Sequence, residues 1–341
     1  MALLSTTAAP PIRHRGCRQS GRTNHYSNSK RRLPLLLGGL YFSGTRRILK
    51  MRALDFRLQR LSKRYEHKMS EGPTALPPQN LQAVSILDSY CRLTPTDQNA
   101  VDIFQGEWSS QFPPPFDYLK AGQLAIFQDV RLAWAIKAMG GVGNQTVLEL
   151  GPLEGGHAYM LEHAGAAFIS AIEANSRAYL KCLISKEILQ LERTRFWFGN
   201  FIPYLETTDQ RFDLIVASGV LYHMQDPLRL LQLIAAHTNR IYMWTHYYDE
   251  QIVAANPNLN PRFLGRESIE VGGQTITLHQ QFYKAALKDK AYCGGSEISS
   301  KWFTREGLMT VLKDVGFREM DFAFESPDHP NGPSLSLIAT K

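Results

Sequence analysis

From about residue 146 the chain settles into a beat of short apolar runs and longer stretches with helical spacing. Thr146-Val-Leu-Glu-Leu150 is the first run, and residues 156 to about 163 form the helix-like stretch that answers it. Apolar runs at 167–172, 195–198, 212–218 and 240–245 predict four more strands, while 177–189 and 227–236 predict helices. Such alternation predicts a parallel sheet with helices on both faces. The beat stops for some fifty residues. It resumes with a predicted helix from Phe303 to Asp314, for which Thr304 is a fitting cap and Gly316 a stop. Two strand-like runs close the chain, Glu319–Phe324 and Ser334–Ala339, with only 325–333 between them. A parallel crossover needs a dozen residues or more, so this pair is predicted to be antiparallel.

Inside the interruption, Glu267–Val271 and Gln274–Leu278 alternate around Gly272-Gly273, which predicts a hairpin. It follows the fifth strand at the sheet edge where ligands bind, and reads as a cap over an acceptor pocket. Tyr283, Lys284, Lys288, Lys290 and Tyr292 are either contacts to an anionic acceptor or a solvated helix face. Before the alternation, Leu54, Leu58, Leu61 and Tyr65 fall on one helical face, and Gly72–Pro78 reads as a linker. A short helix is expected at 81–91. A long one is expected from about Tyr118 to Met139, lying over the pocket as a lid. The predicted organisation is thus an extension at 1–50, a helical region at 51–140, and an α/β domain at 141–341 with a cap insertion at 249–301.

Charge changes the picture only at the N-terminus. The 341 residues carry a net +7, but ten Lys or Arg and no acid fall within residues 1–50, and the remainder holds 28 basic against 31 acidic residues, a net of −3. The basic balance therefore says little about the folded part, and it weighs against extensive phosphate contacts there. The extension reads as a disordered tail or a start assigned upstream of Met51, with organelle targeting as the alternative. Its apolar run Leu33–Phe42 is too short and too broken by Gly and Pro to span a bilayer. Four scattered cysteines with no C-x-x-C spacing read as free thiols of a reducing, cytoplasmic compartment, with no metal site.

The chemistry concentrates in Glu149-Leu-Gly-Pro-Leu-Glu-Gly155, a glycine loop between the first strand and its helix. The loop lacks the G-x-G-x-x-G spacing, and Glu149 and Glu154 flank it. Carboxylates there would repel a pyrophosphate but tolerate a cofactor bearing an ammonium and a sulfonium, so S-adenosylmethionine (SAM) is favoured over NAD. A turn without ligand is the plain alternative.

Four stretches resemble the class I SAM-dependent methyltransferase family over residues 146–341. The loop resembles the family's first motif, keeping Gly151 and Gly155 and replacing the middle glycine by Leu153. Glu173, 22 residues after Gly151, stands where the family's ribose-binding acid falls. Gly199-Asn200-Phe201 resembles the adenine-holding motif, usually with Asp at the Asn200 position. Phe212-Asp-Leu-Ile-Val-Ala-Ser-Gly-Val-Leu-Tyr-His-Met-Gln-Asp-Pro227 resembles the fourth motif, and in particular the group that includes the tRNA wobble-uridine carboxymethyltransferases. The resemblance implies a Rossmann-like doubly wound sheet of five parallel strands plus a C-terminal antiparallel hairpin. It implies SAM held by Glu149, Gly151, Pro152, Gly155, Glu173, Ala174, Asn200, Phe201, Ser218 and Gly219. His223, with Tyr222 and His246 as neighbours, is the candidate base, since an unperturbed imidazole suits proton removal at neutral pH. The expected reaction moves a methyl group to an O or N nucleophile of a small or lipid-like metabolite. A tRNA-modifying methyl- or carboxymethyltransferase, a dinucleotide oxidoreductase and a non-catalytic SAM-fold binding protein are the alternatives.

Overall fold

The computed structural model describes residues 90–283, 287 and 294–341. The predicted extension at 1–50, the amphipathic helix at 51–69, the linker at 72–78, most of the 81–91 helix, and Lys284, Lys288, Lys290 and Tyr292 lie outside the described residues. The helices are α1 (Asp97–Asp102), α2 (Val130–Ala138), α3 (Gly156–His163), α4 (Ser176–Ile188), α5 (Phe201–Thr207), α6 (Pro227–His237), α7 (Glu250–Ala255) and α8 (Arg305–Asp314). The strands are β1 (Thr146–Leu150), β2 (Phe168–Glu173), β3 (Thr194–Phe198), β4 (Leu214–Ser218), β5 (Arg240–His246), β6 (Phe263–Val271), β7 (Gln274–Phe282), β8 (Ser299–Phe303), β9 (Glu319–Ser326) and β10 (Ser334–Thr340).

The main sheet runs β3-β2-β1-β4-β5-β10-β9. The first five strands are parallel, and β10 is antiparallel to both β5 and β9, as the short connection between the last two strands predicts. Alternation along each strand sorts the core into two layers, because successive side chains point to opposite faces. Leu148, Ile215, Met243 and Leu337 face α6 and α8; Val147, Leu214, Tyr242 and Ile338 face α3, α4 and the 101–135 segment. The chain winds outward from β1 through β2 and β3, then returns to place β4 on the other side of β1. The loops after β1 and β4 diverge at that reversal and open the crevice where α/β sheets bind ligands.

Three elements differ from expectation. Residues 118–139 do not form one helix: a 3-10 turn at Ile126–Gln128 precedes α2, and residues 109–111 pair with 122–124. Gly122 permits that pairing, since a Cβ there would lie 2.2 Å from the Ser109 carbonyl carbon. Asp129 then restarts the helix as its N-cap, its side chain accepting from the Arg131 N–H. Phe104, Phe112, Phe127 and Leu132 share the core with Val147 and Ile169 of the sheet. The cap hairpin forms as predicted, with Gly272 and Gly273 both at positive φ. It gains a third strand, β8, which spans the expected end of the cap insertion and the expected start of the following helix. That helix starts only after Thr304, which caps it by accepting from Gly307 N–H. β8 also leans on the turn after β4: Lys301 N–H donates to the Met224 carbonyl at 2.9 Å and Trp302 Nε1–H to the Tyr222 carbonyl at 2.9 Å.

Candidate active site

The glycine loop leaves the end of β1 with Gly151 (φ 62°), Leu153 (φ 57°) and Gly155 (φ 83°) all in the left-handed region. Leu153 therefore follows the path a glycine would take, at a steric cost of roughly 1–2 kcal/mol for an L side chain. Its backbone is tied at both ends: its N–H donates to Glu173 Oε2 at 3.2 Å, and its carbonyl accepts from Cys182 Sγ at 3.6 Å. Glu173 ends β2 and accepts a second bond from Asn175 N–H at 2.8 Å. Gly199 N–H donates to the Glu173 carbonyl at 2.9 Å, which joins the end of β3 to the same edge. Burial raises the Glu173 carboxyl, and the Asn175 and Leu153 amides pull the other way.

The two acids of the loop have separate fates. Glu154 is fully buried and turned away from the crevice. Its carboxylate accepts from Ser109 N–H at 2.9 Å and Ser110 N–H at 2.7 Å, and pairs with the buried Lys181 Nζ at 2.6 Å. Its charge is neutralised there, which corrects the expectation that both carboxylates bear on the cofactor. Glu149 lies near the end of β1. It is buried, with Oε1 3.8 Å from His157 Nδ1, while Oε2 has no hydrogen-bond partner among the described residues. Burial pushes its carboxyl up to about 7, against the opposing pull of His157 and with the added push of Glu173.

From His157 the contacts run on to Asp129, Arg131 and Trp244. His157 Nε2 donates to Asp129 Oδ2 at 2.9 Å, and Asp129 takes Arg131 Nε at 2.9 Å and Nη2 at 2.7 Å. Burial pushes the Asp129 carboxyl up, but the His157 and Arg131 hydrogen bonds outweigh it and hold it well below the usual range. The Arg131 guanidinium lies 4.4 Å over the Trp244 ring.

Trp244 opens an aromatic cluster at the ends of β4 and β5. Tyr222 packs edge-on to Trp244 at 5.8 Å and to His246 at 4.6 Å, and His246 stacks on Trp302 at 5.1 Å. The Gly219 N–H donates to the Trp244 carbonyl at 2.9 Å, and a Cβ on Gly219 would meet Tyr222 Oη at 3.7 Å. His223 Nδ1 lies 2.7 Å from Tyr283 Oη. Burial, then the neighbouring His246, depresses His223 to about 3. Burial likewise takes His246 to about 4, although its ring donates to the Gly332 carbonyl at 2.8 Å through Nδ1. That bond fixes the tautomer and leaves Nε2 as the nitrogen with the lone pair. Tyr222 is pushed upward by burial and stays protonated.

The fold thus brings Glu149, Gly151, Gly155 and Glu173 to one edge, with buried Pro152 and exposed Ala174 beside them. Ser218 and Gly219 lie next to Tyr222, His223 and His246. Asn200 is exposed and caps α5 by accepting from Ile202 N–H at 2.8 Å, and Phe201 begins that helix half-buried. The two acids of the fourth motif are structural. Asp213 accepts from Thr146 N–H at 2.7 Å at the opposite strand end, and Asp226 caps α6. Sequence reasoning missed Asp129, Arg131, His157, Trp244 and Trp302 as site residues. Asp129 carried a signal, an acid directly before an apolar helical run; Trp302 carried none, because its place depends on β8. Among the described residues no group of three or more His, Cys, Asp or Glu could hold a metal, and no helix is long and apolar enough to cross a membrane.

A buried carboxyl raised to about 7 has a consequence for stability. Its ordinary value is 4.5, so between the two pH values the folded chain holds a proton that the unfolded chain releases. Stability contributed by this group therefore falls as pH rises from 4.5 to 7. Glu149→Gln is expected to gain about 3 kcal/mol on wild type between pH 5 and pH 8.5 in denaturant titrations. Parallel pH dependences in the two proteins would show that Glu149 titrates normally.

No family model matches the chain, and no curated protein matches it. Solved structures do. The N-terminal domain of EvdMO1, crystallised in the presence of SAH and D-fucose, is 20% identical with a TM-score of 0.55, over 71% of this chain and 94% of that one. The same domain with SAH bound is 19% identical over the same spans, also at 0.55. Magnesium protoporphyrin IX methyltransferase from Synechocystis PCC 6803, with bound SAH, is 15% identical at 0.42, over 62% of this chain and 81% of that one. What is shared at such identities is architecture: this chain has the mostly parallel, Rossmann-like α/β fold of the SAM-dependent methyltransferases, with its C-terminal antiparallel pair.

Proposed function

We propose that this chain is a SAM-dependent methyltransferase that acts on an O or N nucleophile of a small or lipid-like acceptor. The observation that carries this is the buried Glu149 Oε2, left without a partner beneath a loop whose Gly151, Leu153 and Gly155 are all left-handed. An orphaned carboxylate oxygen in such a place calls for a cationic or hydrogen-bonding group from outside the chain. The residues fit the cofactor: Glu149 offers counter-charge to an ammonium, Glu173 has acceptor capacity for two ribose hydroxyls beyond its two amide bonds, and Phe201 offers an apolar wall near Asn200. SAM, when bound, supplies a methyl group activated by a sulfonium. SAH bound to the EvdMO1 domain, which shares the fold, supports the same reading.

The chain's own residues then have the acceptor to hold. The half-buried rings of Tyr222 and Trp244 pack beside Gly219 and exclude water from that edge. His246, kept neutral by burial and presenting Nε2 as an acceptor, can hold the proton of an acceptor O–H or N–H. His223, engaged with Tyr283 and depressed to about 3, stays neutral and orients the cluster. Keeping both imidazoles uncharged avoids like charges around a sulfonium.

Incubation with methyl-labelled SAM and a fractionated cell extract tests this, with SAH binding followed by calorimetry. Label is expected in the small-molecule or lipid fraction. Label in RNA would transfer the assignment to a tRNA-modifying enzyme, and SAH binding with no labelled product to a binding protein. Binding of NAD without SAH would overturn the cofactor assignment.

A further inference from the structure

Arg131 is held in an unusual way for an arginine that is already paired. Asp129 occupies its side-on fork, taking Nε and Nη2. Nη1 has no hydrogen-bond partner among the described residues, and one Nη1 hydrogen together with the outer Nη2 hydrogen forms a second, end-on fork. The guanidinium carbon lies 4.4 Å from the centre of the half-buried Trp244 ring, which adjoins Tyr222, His246 and His329. The Arg131 side chain is 24% exposed, so it is not sealed in the core. Asp129 is itself shared with His157 and is held from both sides, which fixes the arginine in place rather than leaving it to swing.

We propose that the acceptor carries a carboxylate, and that Arg131, pinned by Asp129 and lying over Trp244, is the residue that reads it through its outer fork. The inference rests on Tyr222, Trp244 and His246 forming the acceptor side of the proposed methyltransferase site. A planar oxyanion matches two parallel N–H donors, and the pairing gives direction as well as affinity. Recognition comes from the fork rather than from net charge, because Asp129 balances the arginine. Aromatic neighbours suit the apolar remainder of the acceptor, and the fork turns it so that one end is fixed.

The test needs no identified acceptor. Benzoate, 1-naphthoate and octanoate, each against its carboxamide, are titrated into the full-length protein with and without SAH, following tryptophan fluorescence and calorimetry. At least one acid is expected to bind about tenfold or more tightly than its amide. Arg131→Gln is expected to abolish that preference and Arg131→Lys to keep part of it, with SAH affinity close to wild type in both; Arg131→Gln also lowers the melting temperature, because buried Asp129 then keeps only His157 as a charged partner. Equal binding of every acid and amide, binding of none, binding of phenyl phosphate alone, or an acid preference that survives Arg131→Gln would each overturn the proposal. Should Arg131→Gln unfold, Arg131→Lys decides: an undiminished acid preference overturns the fork reading and a reduced one supports it. Failure of SAH to bind is a separate result that removes the cofactor reading, while the acid–amide comparison without SAH still decides this one.

Discussion

Replacing Lys181 by Met is expected to destabilise the fold by about 3–5 kcal/mol, because the change strands a buried carboxylate. Lys181 is 2% and Glu154 0% exposed, at 2.6 Å. The ammonium also donates to the Glu107 carbonyl at 2.8 Å and lies 5.6 Å from the Trp108 ring. With it gone, Glu154 keeps only the Ser109 and Ser110 amides as partners. For a domain of this size the loss corresponds to a fall in melting temperature of roughly 6–20 °C. The double variant Glu154→Leu with Lys181→Met is expected to recover part of the loss but not all, since the two serine amides then lose their acceptor. Thermal and denaturant unfolding measure both. A single variant within about 1 kcal/mol of wild type would mean that the Lys181–Glu154 pair contributes little to stability. The same change should also weaken SAH binding, because Glu154 sits in the loop between Leu153 and Gly155 and anchors it to residues 109–110.

Glu173→Ala is expected to weaken SAH binding by 100-fold or more, read by calorimetry. Two hydrogen bonds to a charged acceptor contribute about 1.5–3 kcal/mol each, and a tenfold change in affinity corresponds to about 1.4 kcal/mol. Glu173→Gln keeps one acceptor oxygen and should lose about tenfold. Part of the alanine effect will come through the chain itself, because the carboxylate also accepts from Leu153 and Asn175. The melting temperature separates the two contributions: a binding loss with little change in melting belongs to the ligand contacts. Wild-type affinity in Glu173→Ala would remove Glu173 from the cofactor site.

Much of the architecture was legible before any coordinates. β1, β2, β4, β5 and β10 could be read because burial on both faces leaves apolar runs with clear stops, and α3 because a glycine loop precedes it. Caps were legible for the same local reason: Thr304, with Gly307 three residues on, is a pattern within one turn. Helix α5 escaped, being seven residues with a proline in its first turn. The 118–129 segment escaped too, since its apolar residues have helical spacing but its backbone pairs across Gly122.

The site divides along the same line. Glu149, Gly151, Gly155 and Glu173 stand at or just after strand ends, where the family resemblance put the expected cofactor residues; that they hold the cofactor is the proposal that Glu173→Ala tests. Leu153 read as a departure, and its positive φ shows the backbone path preserved. Glu154 looked like a second cofactor acid; its neutralising partner is 27 residues away and its two amide donors 44 and 45. Arg131 meets Trp244, and Trp302 meets His246, only after the helix packs on the sheet and β8 joins the cap. By itself, then, the sequence determined the order of strands and helices, the loop and the antiparallel end, all of which follow from period, spacing and connection length. Which charges are cancelled, which nitrogen of His246 keeps its lone pair and which face of Arg131 stays open were decided by the tertiary structure alone, because burial and hydrogen bonding between distant segments exist only once the chain has packed.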